Sequence, residues 1–352
     1  MNKLFNNEIV NKGRQKELDL AKGFAIIFMI VCHIGLYFAK PNTFLYEFSD
    51  IIGGEFAAPV FMVCLGVGVV FAKHNEPKDL IKRGINVFLL GYLLNFCRET
   101  IFVIIGNIIN KPYSLRNFYD SLMFIDIMQF AGLAFIVLAL FKKHKITPVQ
   151  QVMIGLLCAG LGEILANKST CNIYLDDIFG LIWGTCEVSC FPLLNWLIFP
   201  CFGVLFGELL QHCNDKNVLY KRIFLICLIG VLTSYYLILF TDDYYNNGSY
   251  YYMGIKNVIY ALCYPMSLFA ICQYIAEKTE VEDLPIVGFC SKYLNTSYCI
   301  SWVIIFGTRY VCYDLMNIDL NNMYIVVAMF VILIITYYVT KMYVNIKSNK
   351  VK

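Results

Sequence analysis

The chain has 352 residues, of which 59% are apolar and only 15% charged, with a mean hydropathy of +0.64. Soluble domains run nearer about 50% apolar and 25% charged, so two ordinary water-facing domains are excluded and an integral membrane protein is expected. The net charge of +3 is too balanced for a nucleic-acid binder, which would show a basic face or stripe.

A membrane helix needs about 20 mostly apolar residues. Ten such runs follow one another, at 19–39, 51–72, 82–109, 119–141, 147–166, 191–211, 220–240, 252–277, 287–311 and 322–343. They predict an all-α fold, a polytopic membrane helix bundle of about ten transmembrane helices. A cytoplasmic N-terminal segment (1–18) and tail (345–352) flank a single transmembrane domain over 19–344. The first apolar run ends in Lys40-Pro41-Asn42 and not in small residues, so it reads as an uncleaved span and not a signal peptide.

Cytoplasmic loops carry excess Lys and Arg. Lys3, Lys12, Arg14 and Lys16 precede the first span, and Lys73, Lys78, Lys82 and Arg83 follow the second. Lys142, Lys143 and Lys145, then Lys216, Lys221 and Arg222, then Lys341, Lys347, Lys350 and Lys352 complete the set. All fall on one side of a ten-span chain, while Asp176, Asp177, Glu187, Asp242 and Asp243 fall on the other. The loop around 278–284 is the exception, being acidic on the basic side. Both termini are expected in the cytoplasm and the chain in the plasma membrane.

Ionisable residues inside spans are costly and mark functional or paired sites. In the first span Lys22 lies near the cytoplasmic end and His33 about two-thirds of the way across. They are eleven residues apart, which at about 100° and 1.5 Å per residue places them on one helix face, roughly 16 Å apart. Asp19, one turn before Lys22, is its expected surface partner. Glu55 opens the second span, in Gly53-Gly54-Glu55-Phe56. Arg98 and Glu99 interrupt the third span after Asn95, and Asp126 and Gln129 share a face of the fourth. Arg98 is expected to pair with Glu55, Glu99 or Asp126, and a purely structural ion-pair network is the bland alternative. Glu163, Glu187 and Arg309 fall near outer span ends and read as interfacial. His33 is the one histidine of four within a span; no metal-ligand spacing occurs. Gly66-x-Gly68 reads as close helix packing. The cysteines are scattered through apolar runs as small hydrophobes. Only Cys171, Cys186 and Cys190 share a polar stretch that would permit a disulfide.

The stretch Leu18-Asp19-Leu20-Ala21-Lys22-Gly23-Phe24-Ala25, running to Cys32-His33, resembles the opening span of the acyltransferase 3 family, with Lys22 where arginine is commoner. Ala58-Pro59-Val60-Phe61-Met62 to Leu65-Gly66-Val67-Gly68 is similar to the second span of the related heparan-α-glucosaminide N-acetyltransferase-like branch. Leu80-Ile81-Lys82-Arg83-Gly84 with Leu89-Leu90-Gly91, then Asp126-Ile127-Met128-Gln129-Phe130-Ala131-Gly132-Leu133, resemble its third and fourth. Phe191-Pro192-Leu193-Leu194-Asn195-Trp196 with Gly203-x-x-x-Gly207 resembles its sixth. The matches arrive in order over roughly the first 210 residues, and the later spans look generic.

The resemblance implies transfer of an acyl group, usually acetyl from acetyl-coenzyme A, to a hydroxyl or amine of a carbohydrate or glycoconjugate on the outer side. Lys22, Lys82 and Arg83 would then meet the phosphates of acyl-coenzyme A, with Gln129 beside the donor. His33 would act as base or acyl carrier, Asp126 or Glu55 would fix its tautomer, and Arg98 would answer the oxyanion. Beside the lipid bilayer no other partner is implied; a homodimer is left open. Two other readings compete: a transporter or flippase with a polar pathway, and a non-catalytic membrane scaffold.

Overall fold

The computed structural model describes residues 4–185, 189–240 and 250–349. Lys3, Cys186, Glu187, Asp242, Asp243, Lys350 and Lys352 lie outside the described residues. The first helices are α1 (Lys16–Phe38), α2 (Phe44–Phe56), α3 (Ala58–Phe71), α4 (Pro77–Asn95), α5 (Ile101–Ile108) and α6 (Phe118–Met123). There follow α7 (Ile127–Lys143), α8 (Pro148–Leu165), α9 (Ile173–Gly180), α10 (Leu193–Trp196) and α11 (Ile198–Gln211). The last are α12 (Lys216–Phe240), α13 (Ile255–Ala276), α14 (Pro285–Lys292), α15 (Leu294–Arg309) and α16 (Asn322–Asn349). Among the described residues the only strand-like pairings are two isolated bridges, Phe5 with Cys213 and Ile125 with Ser189. The chain is all-α.

Among the described residues eight helical stretches, from Lys16–Phe38 to Asn322–Asn349, are long and apolar enough to cross a membrane. The two other expected spans are those the structure interrupts. The 119–141 run breaks between α6 and α7, where Asp126 stops one helix and caps the next. Its carboxylate accepts from the Ile127 amide at 2.7 Å while the Gln129 side chain accepts from the Asp126 amide at 3.2 Å. The 287–311 run breaks at Tyr293 between α14 and α15. The second span begins earlier than expected, at Phe44, because Thr43 caps it by accepting from the Tyr46 amide. Glu55 therefore lies near the end of α2 and does not open a span. The helix is interrupted at Ala57 because Pro59 has no N–H to donate to the Glu55 carbonyl four residues back.

The chain divides into two compact units. The first comprises residues 1–18, 59–92 and 123–278. Its helices approach through glycines: a Cβ on Gly66 would meet the Pro200 carbonyl at 2.0 Å, and one on Gly203 the Val63 carbonyl at 2.2 Å. This draws α3 onto α11. Gly84 and Gly132 do the same for α4 and α7. Gly68 faces open space, so only the first glycine of the Gly66-x-Gly68 pair acts in packing. The basic loops of this unit gather at one end. Lys142 Nζ donates to the Asn75 carbonyl at 2.9 Å, and the Asn6 and Val10 amides donate to the His212 and Gln211 carbonyls at 2.8 Å each. Lys216 pairs with Glu17 nearby. The other end is closed by the Cys190 amide on the Ile125 carbonyl at 3.0 Å and by Trp196 Nε1 on the Tyr251 carbonyl at 2.8 Å.

The second unit comprises residues 19–58, 93–122 and 279–352. Here α1 and α2 touch at two small-residue contacts: a Cβ on Gly35 would lie 2.1 Å from Ser49 Oγ, and one on Gly53 would lie 2.0 Å from Cys32 Cβ. Helix α15 packs on α16, on α14 and on the 96–100 segment that links α4 to α5. That last contact makes the site.

Candidate functional site

Between α4 and α5 the backbone widens into a π-helical turn over Phe96–Thr100. One extra residue is held in the turn, a device that recurs at functional sites. Its effect here is direct: Arg98, Glu99 and Thr100, consecutive in sequence, are all buried while Phe96 faces outward. The turn is tied down by polar neighbours. Thr100 Oγ1 and Ser121 Oγ are 3.0 Å apart, and Asn95 Nδ2 donates to the Leu122 carbonyl at 3.0 Å.

Arg98 is fully buried. Its Nε lies 3.7 Å from Glu99 Oε1, and the other Glu99 oxygen is ion-paired with Arg116 Nε at 3.0 Å. Of the three partners expected for Arg98, the structure places Glu99 beside it. The guanidinium carbon lies 4.5 Å from the centre of the Trp302 ring and 5.6 Å from that of Phe306. A buried cation thus meets a carboxylate and the faces of two aromatic rings, the environment such a charge needs away from water.

His33 comes to the same ring from α1. Its imidazole centroid is 4.0 Å from that of Trp302 at an interplanar angle of 55°. Tyr37, one turn further along α1, lies 5.0 Å from Phe306. His33 Nδ1 is 2.7 Å from the Met29 carbonyl oxygen. A carbonyl only accepts, so Nδ1 carries the proton and Nε2 is the basic nitrogen. The backbone of α1 supplies this tautomer.

Glu55 is buried in the second unit, two residues beyond the contact of Gly53 with Cys32, the neighbour of His33. Lys22 pairs with Asp19 at 2.7 Å, as expected, and Ser291 Oγ donates to the same Asp19 oxygen at 3.5 Å. Lys82 and Arg83 belong to the first unit and are exposed on α4, with the Arg83 guanidinium carbon 4.4 Å from the centre of the Phe135 ring. Gln129, also in the first unit, is buried: its Nε2 donates to the Phe124 carbonyl at 3.2 Å, and Gly91 packs against its amide. The structure therefore groups His33 and Arg98 around Trp302 and gives Gln129 a capping role. Arg309 is paired with Asp314 at 2.9 Å and donates to Ser114 Oγ at 3.0 Å, more than an interfacial charge. Among the described residues no cluster of His, Cys, Asp and Glu fits a metal ion. Cys171 is an exposed free thiol, while Cys186 lies outside the described residues.

A model of the family described as heparan-alpha-glucosaminide N-acetyltransferase, catalytic, matches residues 14–239. The chain belongs to this family. The match runs through α1 to α12 and includes His33, Glu55, Arg98 and the cations Lys22, Lys82 and Arg83. No curated protein matches the chain. Family and fold together make it a multi-pass membrane acetyltransferase. Trp302 lies outside the matched stretch, and sequence reading passed over it among the generic later spans. Its one sequence signal is the spacing Tyr298-x-x-x-Trp302-x-x-x-Phe306, an aromatic stripe along one face of α15.

Proposed function

We propose that the protein transfers an acetyl group from acetyl-coenzyme A, taken from the cytoplasmic side, to a hydroxyl or amine of a carbohydrate on the outer side. The observation that carries this reading is the fixed tautomer of His33, whose basic Nε2 shares one aromatic ring with a buried arginine. Bond changes balance simply. The acceptor oxygen or nitrogen forms a bond to the acetyl carbon, the C–S bond breaks, and coenzyme A leaves as thiolate. The acceptor's proton passes to Nε2 and on to the thiolate. Nε2 is equally the atom through which His33 would carry the acetyl group if transfer runs in two steps. Arg98, the charged group on the same indole, answers the negative charge that develops on the carbonyl oxygen. Glu55, buried on the helix packed against α1, adds a carboxylate to this unit. Lys82 and Arg83, exposed on α4, and Lys22, at the end of the His33 face, are the cations offered to coenzyme A phosphates. The orientation, with both termini cytoplasmic in the plasma membrane, is supported by the gathering of basic loops at one end of the first unit. Reporter fusions after Lys145 and after Lys168 should report opposite sides, the first cytoplasmic.

The decisive experiment uses purified protein in liposomes, labelled acetyl-coenzyme A and glucosamine as probe acceptor. His33→Ala should lose about 10²–10⁴-fold in turnover while keeping its melting temperature and coenzyme A binding. Near-normal turnover in this variant refutes the catalytic assignment and favours a transporter or scaffold.

A further inference from the structure

Trp302 stands at the middle of the aromatic stripe on α15, with Tyr298 and Phe306 one turn to either side at 6.2 and 5.2 Å. It is 3% exposed, and its indole Nε1–H has no acceptor among the described residues. A buried donor left unmatched costs about 1–3 kcal/mol. Phenylalanine would fill much of the same space without that cost, so packing alone does not select tryptophan here. What the indole offers beyond phenylalanine is a broader face and the best ring for holding a cation. Both of the groups it holds need such a surface. The Met29 bond pins Nδ1 of His33, and the indole centre lies 4.0 Å from that of the imidazole, flanking the ring. Glu99 Oε1 lies 3.7 Å from Arg98 Nε, and the guanidinium carbon is 4.5 Å from the indole centre.

We propose that Trp302 is a positioning residue of the acyl-transfer site, a single aromatic plate that holds the His33 imidazole and the Arg98 guanidinium in fixed relation. The inference rests on the roles given to His33 and Arg98 above. It assigns a task to a residue beyond 239, outside the stretch matched by the family. The plate sets the approach of Nε2 to the reacting carbonyl and brings the arginine's charge to the same place.

The test compares Trp302→Leu and Trp302→Phe in the liposome assay, with melting temperature measured alongside. Misplacement by about 1 Å costs on the order of 10²-fold, so Trp302→Leu should lower kcat by that order with KM for acetyl-coenzyme A within about threefold. Trp302→Phe, whose ring is smaller and holds a cation less well, should recover only part of the loss. Loss of kcat in Trp302→Leu should also be strongly non-additive with Arg98→Gln, the double variant falling little below the worse single one. A second readout needs no turnover: carbethoxylation of His33 by diethyl pyrocarbonate, followed by peptide mass spectrometry. Its rate should rise several-fold in Trp302→Leu and by less in Trp302→Phe. Unchanged kcat and unchanged His33 modification in Trp302→Leu would overturn the proposal, as would additive effects with Arg98→Gln. A wild type without acetyl transfer would refute the enzyme reading, and the modification rates would still decide the role of the indole.

Discussion

Replacing Glu99 by leucine tests whether the buried charge cluster is held together as its geometry indicates. Glu99 is the carboxylate beside the fully buried Arg98 and is also ion-paired with Arg116 at 3.0 Å. Removing one member of a buried pair leaves an uncompensated charge, at a cost of about 3–5 kcal/mol. Taking about 2–4 °C per kcal/mol for a unit of this size, the melting temperature should fall by roughly 10 °C. The double variant Arg98→Met with Glu99→Leu removes both charges and should be much closer to wild type in stability, though inactive. Arg116, whose side chain is 23% exposed, can turn to water in either case. Melting is read with a thiol-reactive dye, since Cys32 and Cys290 of the same unit are buried until it opens. A Glu99→Leu melt unchanged from wild type, or a double variant less stable than the single one, would refute the reasoning.

Three further outcomes follow from other parts of the molecule. Gly66→Ala drives a methyl into the Pro200 carbonyl and should cost about 1–3 kcal/mol, while Gly68→Ala, facing open space, should leave the melting temperature unchanged. Binding of coenzyme A by calorimetry should weaken as salt rises, because phosphate–cation attraction at exposed groups is screened; Lys82→Gln with Arg83→Gln should weaken it further and flatten the salt dependence. Asp176 accepts from Ser169 Oγ at 2.5 Å and from the Thr170 amide at 2.6 Å, which hold its carboxyl below its ordinary value. Its stabilising contribution is complete above the ordinary carboxylate value of about 3.9 and is lost as pH falls through the lowered one. Amide exchange over 169–176 should therefore quicken, relative to the rest of the chain, only below that range, and Asp176→Asn should show the quickened exchange at neutral pH.

The spans were legible because each is a long apolar run, and the bilayer leaves helices few alternatives. Their interruptions were less so. Asp126-x-x-Gln129 has the spacing of a capping box, yet two polar residues one turn apart within an apolar run also read as a shared buried face. The wide turn at 96–100 carries no composition signal, since it forms through the contacts of Arg98, Glu99 and Thr100 with other elements. His33 and Arg98 were recognisable as costly residues inside spans. Trp302 was hidden because an aromatic residue in an apolar helix is ordinary until its neighbours are known. The pairing of Lys22 with Asp19 was readable from three-residue helical spacing alone.

The hydrogen bond from His33 to the Met29 carbonyl has a genetic consequence. A histidine oriented by a carboxylate can be disarmed at two codons, its own and that of its partner. Here the partner is main chain, present whatever side chain stands at 29, so substitution at that position cannot delete the acceptor. A saturation scan should find His33 intolerant while the group that fixes its tautomer leaves no trace. The backbone carbonyl also orients the ring without burying another negative charge, which within a bilayer spares the unit a further ion to neutralise.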